Sequence, residues 1–125
     1  LGMGNIFGTV ALEAAYSQGE DWLKQLLEYL QQNRDLLDEY IQSNLPGIRM
    51  NPPDATYLAW LDMRELGMNK KDLRKFMIEK AGVGCNDGPS FGPGGDGFQR
   101  LNFACPRQLL EQALDQMETA IRKLL

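Results

Sequence analysis

One arginine in a short alternating segment is the residue of this chain best suited to chemistry. The segment Phe98-Gln-Arg-Leu-Asn-Phe103 follows a glycine-rich stretch. Because strand side chains alternate, Leu101 and Phe103 should share one face, and Arg100 and Asn102 the other. A guanidinium is planar, permanently charged and able to donate to both oxygens of a carboxylate at once. The residues alone leave two interpretations open: a carboxylate-binding group, or an ordinary arginine on a half-exposed strand.

The glycines before this segment match a phosphate-binding pattern in spacing only. Gly92, Gly94 and Gly97 satisfy G-x-G-x-x-G, but that chemistry needs a helix N-terminus after the glycines to hold the phosphate. An alternating, strand-like run follows instead, which disfavours nucleotide binding. We expect a turn whose glycines adopt positive φ.

Other reactive or aromatic residues indicate packing rather than catalysis. Cys105 precedes a proline in a chain without histidine, so nothing activates its thiol and a small buried residue is expected. Two cysteines and no histidine also make a metal site improbable. Three aromatic residues are expected in the core rather than against a cofactor: Trp22, Tyr57 and Trp60.

Composition indicates a single globular domain. The chain has 125 residues, 43% hydrophobic and 24% charged, with a net charge of −4. The negative charge and the lack of a basic cluster argue against a nucleic-acid partner. No apolar stretch is long enough to cross a bilayer, and no signal peptide is recognisable. We expect no membrane partner and a reducing, cytoplasmic setting.

Local signals predict an α+β fold, with a small antiparallel or mixed sheet and helices on one side. An apolar helix over 6–17 is interrupted at Gly19. A second helix over about 20–45 would approach 40 Å, a length that suits either a link between two bodies or a helix along one sheet. Strands are predicted at 55–61, at 83–85 and around Arg100. A helix capped by Asn69 lies between the first two, and Pro106 opens the last helix.

Three segments resemble a known enzyme family. Residues 53–62, 80–84 and 91–107 are similar to the C-terminal part of class I/II aminotransferase-fold (fold-type I) enzymes, which depend on pyridoxal phosphate. The resemblance is closest to their carbon–sulfur lyase branch, the cystathionine β-lyase-like enzymes, and extends loosely to residues 5–8 and 13–16. It implies that Arg100 binds the α-carboxylate of an amino-acid substrate. It also implies a homodimeric parent enzyme that acts by elimination or transamination.

The catalytic equipment of that family is expected elsewhere. The family's Schiff-base lysine lies in a serine-rich segment upstream, and no lysine of this chain has such a context. We therefore expect no catalytic and no cofactor-binding residue here, and no pyridoxal phosphate on the isolated, inactive fragment. Residues 1–18 are interpreted as a remnant helix of the missing large domain, and 19–125 as the small domain, including the linking helix. The alternative is a stand-alone small-ligand-binding or interaction domain without catalytic activity.

Overall fold

A computed structural model of the protein describes residues 4–124, which form four helices, four strands and three short helical turns. The helices are α1 (Ile6–Gln18), α2 (Glu20–Asn44), α3 (Lys70–Lys75) and α4 (Arg107–Arg122). The strands are β1 (Arg49–Met50), β2 (Leu58–Asp62), β3 (Asn86–Asp87) and β4 (Phe98–Asn102). The turns are 3₁₀ segments at Arg64–Leu66 and Gly88–Phe91 and a π turn at Phe76–Lys80.

Local signals set the helix ends, and those at Gly19 and Asn69 agree with the sequence prediction. The Asn5 side chain accepts a hydrogen bond from the Phe7 N–H at 2.9 Å and so caps α1. Gly19 separates α1 from α2, and a Cβ there would lie 2.4 Å from the carbonyl oxygen of Ala15. The Asn69 side chain accepts from the N–H groups of Lys71 and Asp72 at the start of α3.

Two predicted strands are displaced along the chain. The strand expected at 55–61 begins only at Leu58, because residues 54–57 form a bend in which Thr56 has φ +66°. The short strand expected at 83–85 is found instead at Asn86–Asp87. The Val83 N–H donates to the carbonyl of Met77 at 2.9 Å, so this residue closes the preceding turn and does not join the sheet.

The sheet is antiparallel throughout, with the strand order β1-β2-β4-β3. Its inner face packs against the helices and contributes Ala59, Leu61 and Leu101 to the core. Helix α2 contributes Leu37 and Ile41. The core residues of α3 and α4 are Leu73, Leu110, Leu114, Met117, Ala120 and Ile121. The predicted α+β class, with helices on one side of a small sheet, is confirmed.

The prediction that three aromatic residues lie in the core is wrong. Trp22 is 67% exposed, Tyr57 45% and Trp60 37%. Trp60 lies on the outer sheet face, because its strand neighbours Ala59 and Leu61 occupy the inner one. Trp22 lies on the first half of α2, whose buried residues begin only at Asn33.

The N-terminal helix has no buried side chain. Ile6, Phe7, Val10, Leu12 and Tyr16 are all exposed. Of the expected remnant segment 1–18, residues 1–3 lie outside the described residues, as does residue 125 of the expected small domain. Within residues 4–124, no helix combines the length and apolarity needed to span a membrane.

Candidate functional site

Arg100 lies at the centre of β4 on the outer face of the sheet. Gln99 and Leu101, its neighbours along the strand, are buried on the inner face. Arg100 itself is half-buried and lies between Trp60 on β2 and Asn86 on β3 in the ladder. The predicted alternation of this strand is therefore present, and it leaves the guanidinium on a face that the helices do not cover.

Two contacts hold the guanidinium of Arg100. Its Nη2 donates to Oδ1 of Asn86 at 3.0 Å, and its Cζ lies 4.4 Å from the ring centroid of Phe91. Its Nε is buried and has no hydrogen-bond partner among the described residues. Such an arrangement restricts the plane of the group while leaving donors for an anion, since a guanidinium carries five N–H bonds.

An aromatic strip, formed by Phe91, Trp60 and Phe98, continues from Arg100 across the outer face. Trp60 contacts Phe91 edge to face, with ring centroids 5.6 Å apart, and stacks on Phe98 at 5.5 Å. Arg64 lies over Phe98 at 4.8 Å at the far end of the strip. Each end of the strip therefore carries an arginine, Arg100 against the Phe91 ring and Arg64 against the Phe98 ring.

Arg100 differs from most arginines of the chain in its charge environment. Within residues 4–124, five of the seven arginines form ion pairs with carboxylates, and Arg100 does not. Arg64, at the other end of the strip, makes a two-point contact with Asp62 at 2.9 and 2.7 Å. Hydrogen bonding to Arg64 holds the pKa of the Asp62 carboxyl below its usual range. The charge of Arg100 is therefore available to an external anion, whereas that of Arg64 is already neutralised.

The glycine-rich stretch forms a closed loop and not a phosphate site. Gly88 and Gly95 meet backbone to backbone, and a Cβ on Gly95 would lie 2.1 Å from the carbonyl oxygen of Gly88. Gly92, Gly94 and Gly97 have φ of +119°, +90° and +82°, as the sequence predicted. Strand β4 begins at the residue after Gly97, so there is no helix N-terminus to hold a phosphate.

A buried asparagine that the sequence pattern did not single out fixes the chain beyond β4. Asn33 of α2 is fully buried, and its Nδ2 donates to the carbonyls of Phe103 and Cys105 at 3.0 Å each. Its Oδ1 has no partner among the described residues. A signal existed: Asn33 continues the apolar stripe of Leu30 and Leu37 at helical spacing, where a polar residue is unusual.

The cysteines contribute packing, as expected for Cys105. Burial raises the pKa of the Cys105 thiol, and burial with a smaller effect of Asp87 raises that of Cys85 to about 12. Both thiols are thus kept protonated, the opposite of what a nucleophile needs. Among residues 4–124, no group of three or more metal-ligating side chains is found.

The surroundings of the lysines do not suit a Schiff base with pyridoxal phosphate. The lysine that binds this cofactor must be desolvated or lie near other cations to act as a nucleophile. All six lysines of the chain are exposed. They lie on helices, in the turn after α3 or at the end of α4, and none lies on the sheet that carries Arg100.

Comparison with known proteins confirms the resemblance seen in the sequence. The chain matches the C-terminal part of pyridoxal-phosphate-dependent aminotransferases and carbon–sulfur lyases. It is 38% identical to cystathionine beta-lyase PatB of Bacillus subtilis, over 97% of this chain and 31% of that protein. Among solved structures, cystalysin of Treponema denticola, which contains pyridoxal 5′-phosphate, superposes with a TM-score of 0.94 at 32% identity, over 99% of this chain and 32% of its own.

A second similar structure is also that of a carbon–sulfur lyase. The pyridoxal-phosphate-bound C–S lyase of Staphylococcus hominis superposes with a TM-score of 0.88 at 34% identity, over 97% of this chain and 32% of its own. The chain thus spans about a third of the length of these relatives. No protein-family model matches it.

Proposed function

We propose that this chain is the C-terminal, substrate-side segment of a pyridoxal-phosphate-dependent carbon–sulfur lyase or aminotransferase that acts on amino acids. In this proposal Arg100 binds the α-carboxylate of the substrate. The observation that carries it is a half-buried guanidinium with no carboxylate partner among residues 4–124, held in a defined orientation on an uncovered sheet face. A pair of hydrogen bonds between a charged guanidinium and an ionised carboxylate is among the stronger contacts available to a carboxylate.

The proposal assigns the cofactor to residues outside this chain, because the exposed lysines here do not suit it. Pyridoxal phosphate would supply the electron sink for the reaction. The contribution of this segment is to fix the carboxylate end of the substrate. We therefore propose that the isolated chain is inactive. From the family resemblance we also propose a homodimeric parent enzyme, and from the two unpaired cysteines a cytoplasmic one.

The two-part organisation expected from the sequence also becomes a proposal. We propose that 1–18 belong to a large domain and 19–125 to the small domain, with α2 linking the two. The absence of buried side chains on α1 supports this division, as does the exposure of Leu23 and Leu27 on the first half of α2. Apolar side chains at such density are normally covered by another surface.

The test is the substitution Arg100→Lys in the full-length enzyme. Lysine keeps the charge but loses the planar two-point contact, at a cost of about 2–4 kcal/mol, or roughly thirty- to a thousand-fold in kcat/KM. Cofactor absorbance should be unchanged. Activity on an analogue that lacks the α-carboxylate should be nearly insensitive to the substitution.

Arg107→Lys is the matched control, because Arg107 is also half-buried and its side chain contacts Gln32 and the ring of Tyr29 rather than a carboxylate. We expect kcat/KM of this variant to stay within about twofold of the parent value. If Arg100→Lys behaved like Arg107→Lys, Arg100 would be a surface arginine and the proposed role would be wrong.

A further inference from the structure

We propose that Phe91 and Asn86 are positioning residues that orient the Arg100 guanidinium for the substrate carboxylate, and that the glycine-rich loop exists to present Phe91. This inference rests on the proposed function of Arg100. It adds two residues whose roles follow from contacts in the structure. Neither was identified from the sequence pattern, since both lie at least nine residues from Arg100 along the chain.

The two contacts act on different parts of the guanidinium. Asn86 lies opposite Arg100 in the β3–β4 register, and its Oδ1 accepts from Nη2 at the edge of the group. Phe91 lies against the guanidinium, with its ring centroid 4.4 Å from Cζ. The edge contact restricts the position of the guanidinium, and the ring contact restricts its tilt. Without these contacts the arginine side chain would adopt many conformations, and it would lose that conformational entropy when it bound the carboxylate.

The loop holds Phe91 in place through three features. The Gly88–Phe91 turn ends at Gly92, whose φ of +119° and ψ of −171° suit only glycine. The Gly88–Gly95 backbone contact closes the base of the loop. The edge of Trp60 supports the Phe91 ring from the neighbouring strand. Phe91 is therefore a fixed part of the site although its side chain is half exposed.

The chemical type of residue 86 matters as much as its position. A neutral amide orients the guanidinium without cancelling its charge, so the cation stays available to the substrate. A carboxylate at the same place would form an ion pair with Arg100 and compete with the substrate carboxylate. Asn86→Asp, a nearly isosteric change, should therefore raise KM by at least about tenfold, and by more than Asn86→Ala does.

The test for Phe91 compares three variants of the full-length enzyme. Phe91→Leu removes the π face and should raise KM for the amino acid about three- to tenfold with a smaller change in kcat. Phe91→Tyr keeps the π face and should stay within about twofold. Phe98→Leu is the matched control: it removes the same ring from the far end of the aromatic strip, away from Arg100, and should leave KM within about twofold.

A purely structural role would give a different result. In that case Phe91→Leu and Phe98→Leu would alter KM and the melting temperature equally, and the analogue without an α-carboxylate would be affected as strongly as the amino acid. Either observation would overturn the inference. Replacing Phe91 with increasingly fluorinated phenylalanines keeps the shape while weakening the π face, so KM should rise along the series. A flat series would also overturn it.

The outcome for Arg100→Lys separates the two proposals. A large loss with Arg100→Lys but none with Phe91→Leu or Asn86→Asp would leave the proposed function intact and refute the positioning role. No loss with Arg100→Lys would refute the proposed function, and the positioning role with it.

Discussion

Replacing the buried Asn33 with alanine should destabilise the chain by about 2 kcal/mol. The substitution removes the donor to the Phe103 carbonyl, at a cost of about 1–3 kcal/mol for an orphaned buried acceptor. Loss of the hydrogen bond to the Cys105 carbonyl costs about 1 kcal/mol of stability, because this carbonyl keeps only the longer contact from the Tyr29 hydroxyl at 3.4 Å. Loss of the unpartnered Oδ1 and the better helix propensity of alanine together offset about 1–1.5 kcal/mol.

Urea unfolding followed by circular dichroism measures this difference in the free energy of unfolding. In a thermal unfolding experiment on a chain of 125 residues, 2 kcal/mol corresponds to a fall of roughly 8 °C in Tm. Gln31→Ala, on the exposed side of the same helix, is the control for helix propensity. If Asn33→Ala and Gln31→Ala unfolded within about 0.5 kcal/mol of each other, the two buried hydrogen bonds would contribute nothing net.

A second substitution at the same position should make the stability of the chain depend on pH. Asn33→Asp would place a carboxyl against the two carbonyl oxygens, so burial would raise its folded pKa above the unfolded value of about 3.9. The folded state then binds the proton more tightly than the unfolded state. This variant should be most stable at low pH and should lose stability as pH rises through the raised pKa. A pH-independent loss would contradict the buried contact with the carbonyl groups.

Two further predictions follow from the titratable groups. Burial raises the pKa of Cys85 to about 12, with Asp87 adding to the shift, and burial also raises that of Cys105. At pH 8 a thiol-specific chromogenic reagent should therefore modify the more buried Cys85 more slowly than Cys105. Mass spectrometry of the modified protein gives the rate for each cysteine, and equal rates would contradict this prediction. Arg64 lowers the pKa of Asp62, so the stability from this contact is present above pH 4 and is lost as pH falls through the lowered value. In the variant Arg64→Gln, the free energy of unfolding should fall less steeply as pH is lowered. An unchanged slope would show that the interaction between Arg64 and Asp62 is fully screened by solvent.

Features set by neighbouring residues could be predicted from the sequence. The break at Gly19 and the start of α4 after Pro106 follow from backbone chemistry within a few residues. The alternation around Arg100 follows from strand geometry in the same way, and the resemblance pointed to this residue. The pattern alone left open whether Arg100 is an ordinary surface arginine, and only the family resemblance favoured a carboxylate-binding role.

Features set by pairing between distant segments could not be predicted. The exposure of Trp60 depends on which face of β2 meets the helices, and the pattern around it is apolar on both faces. The contact of Asn86 with Arg100 depends on the register of a strand of only two residues. The Phe91 contact depends on a loop closed by two glycines that touch across seven positions. None of these has a local signature, because each requires two parts of the chain to be in place first.

The strand order carries a consequence for the synthesis of this chain. Strand β4, the last in sequence, lies between β2 and β3, which pair with it and not with each other. While the chain leaves the ribosome, β3 has no ladder partner, and β2 has only the two-residue β1. The outer sheet face therefore assembles only after residue 102 has emerged, by closing contacts over about 40 residues between β2 and β4. A nascent chain stopped before β4 would expose the unpaired edge of β2 and the apolar faces of its helices, which are surfaces of the kind that chaperones cover.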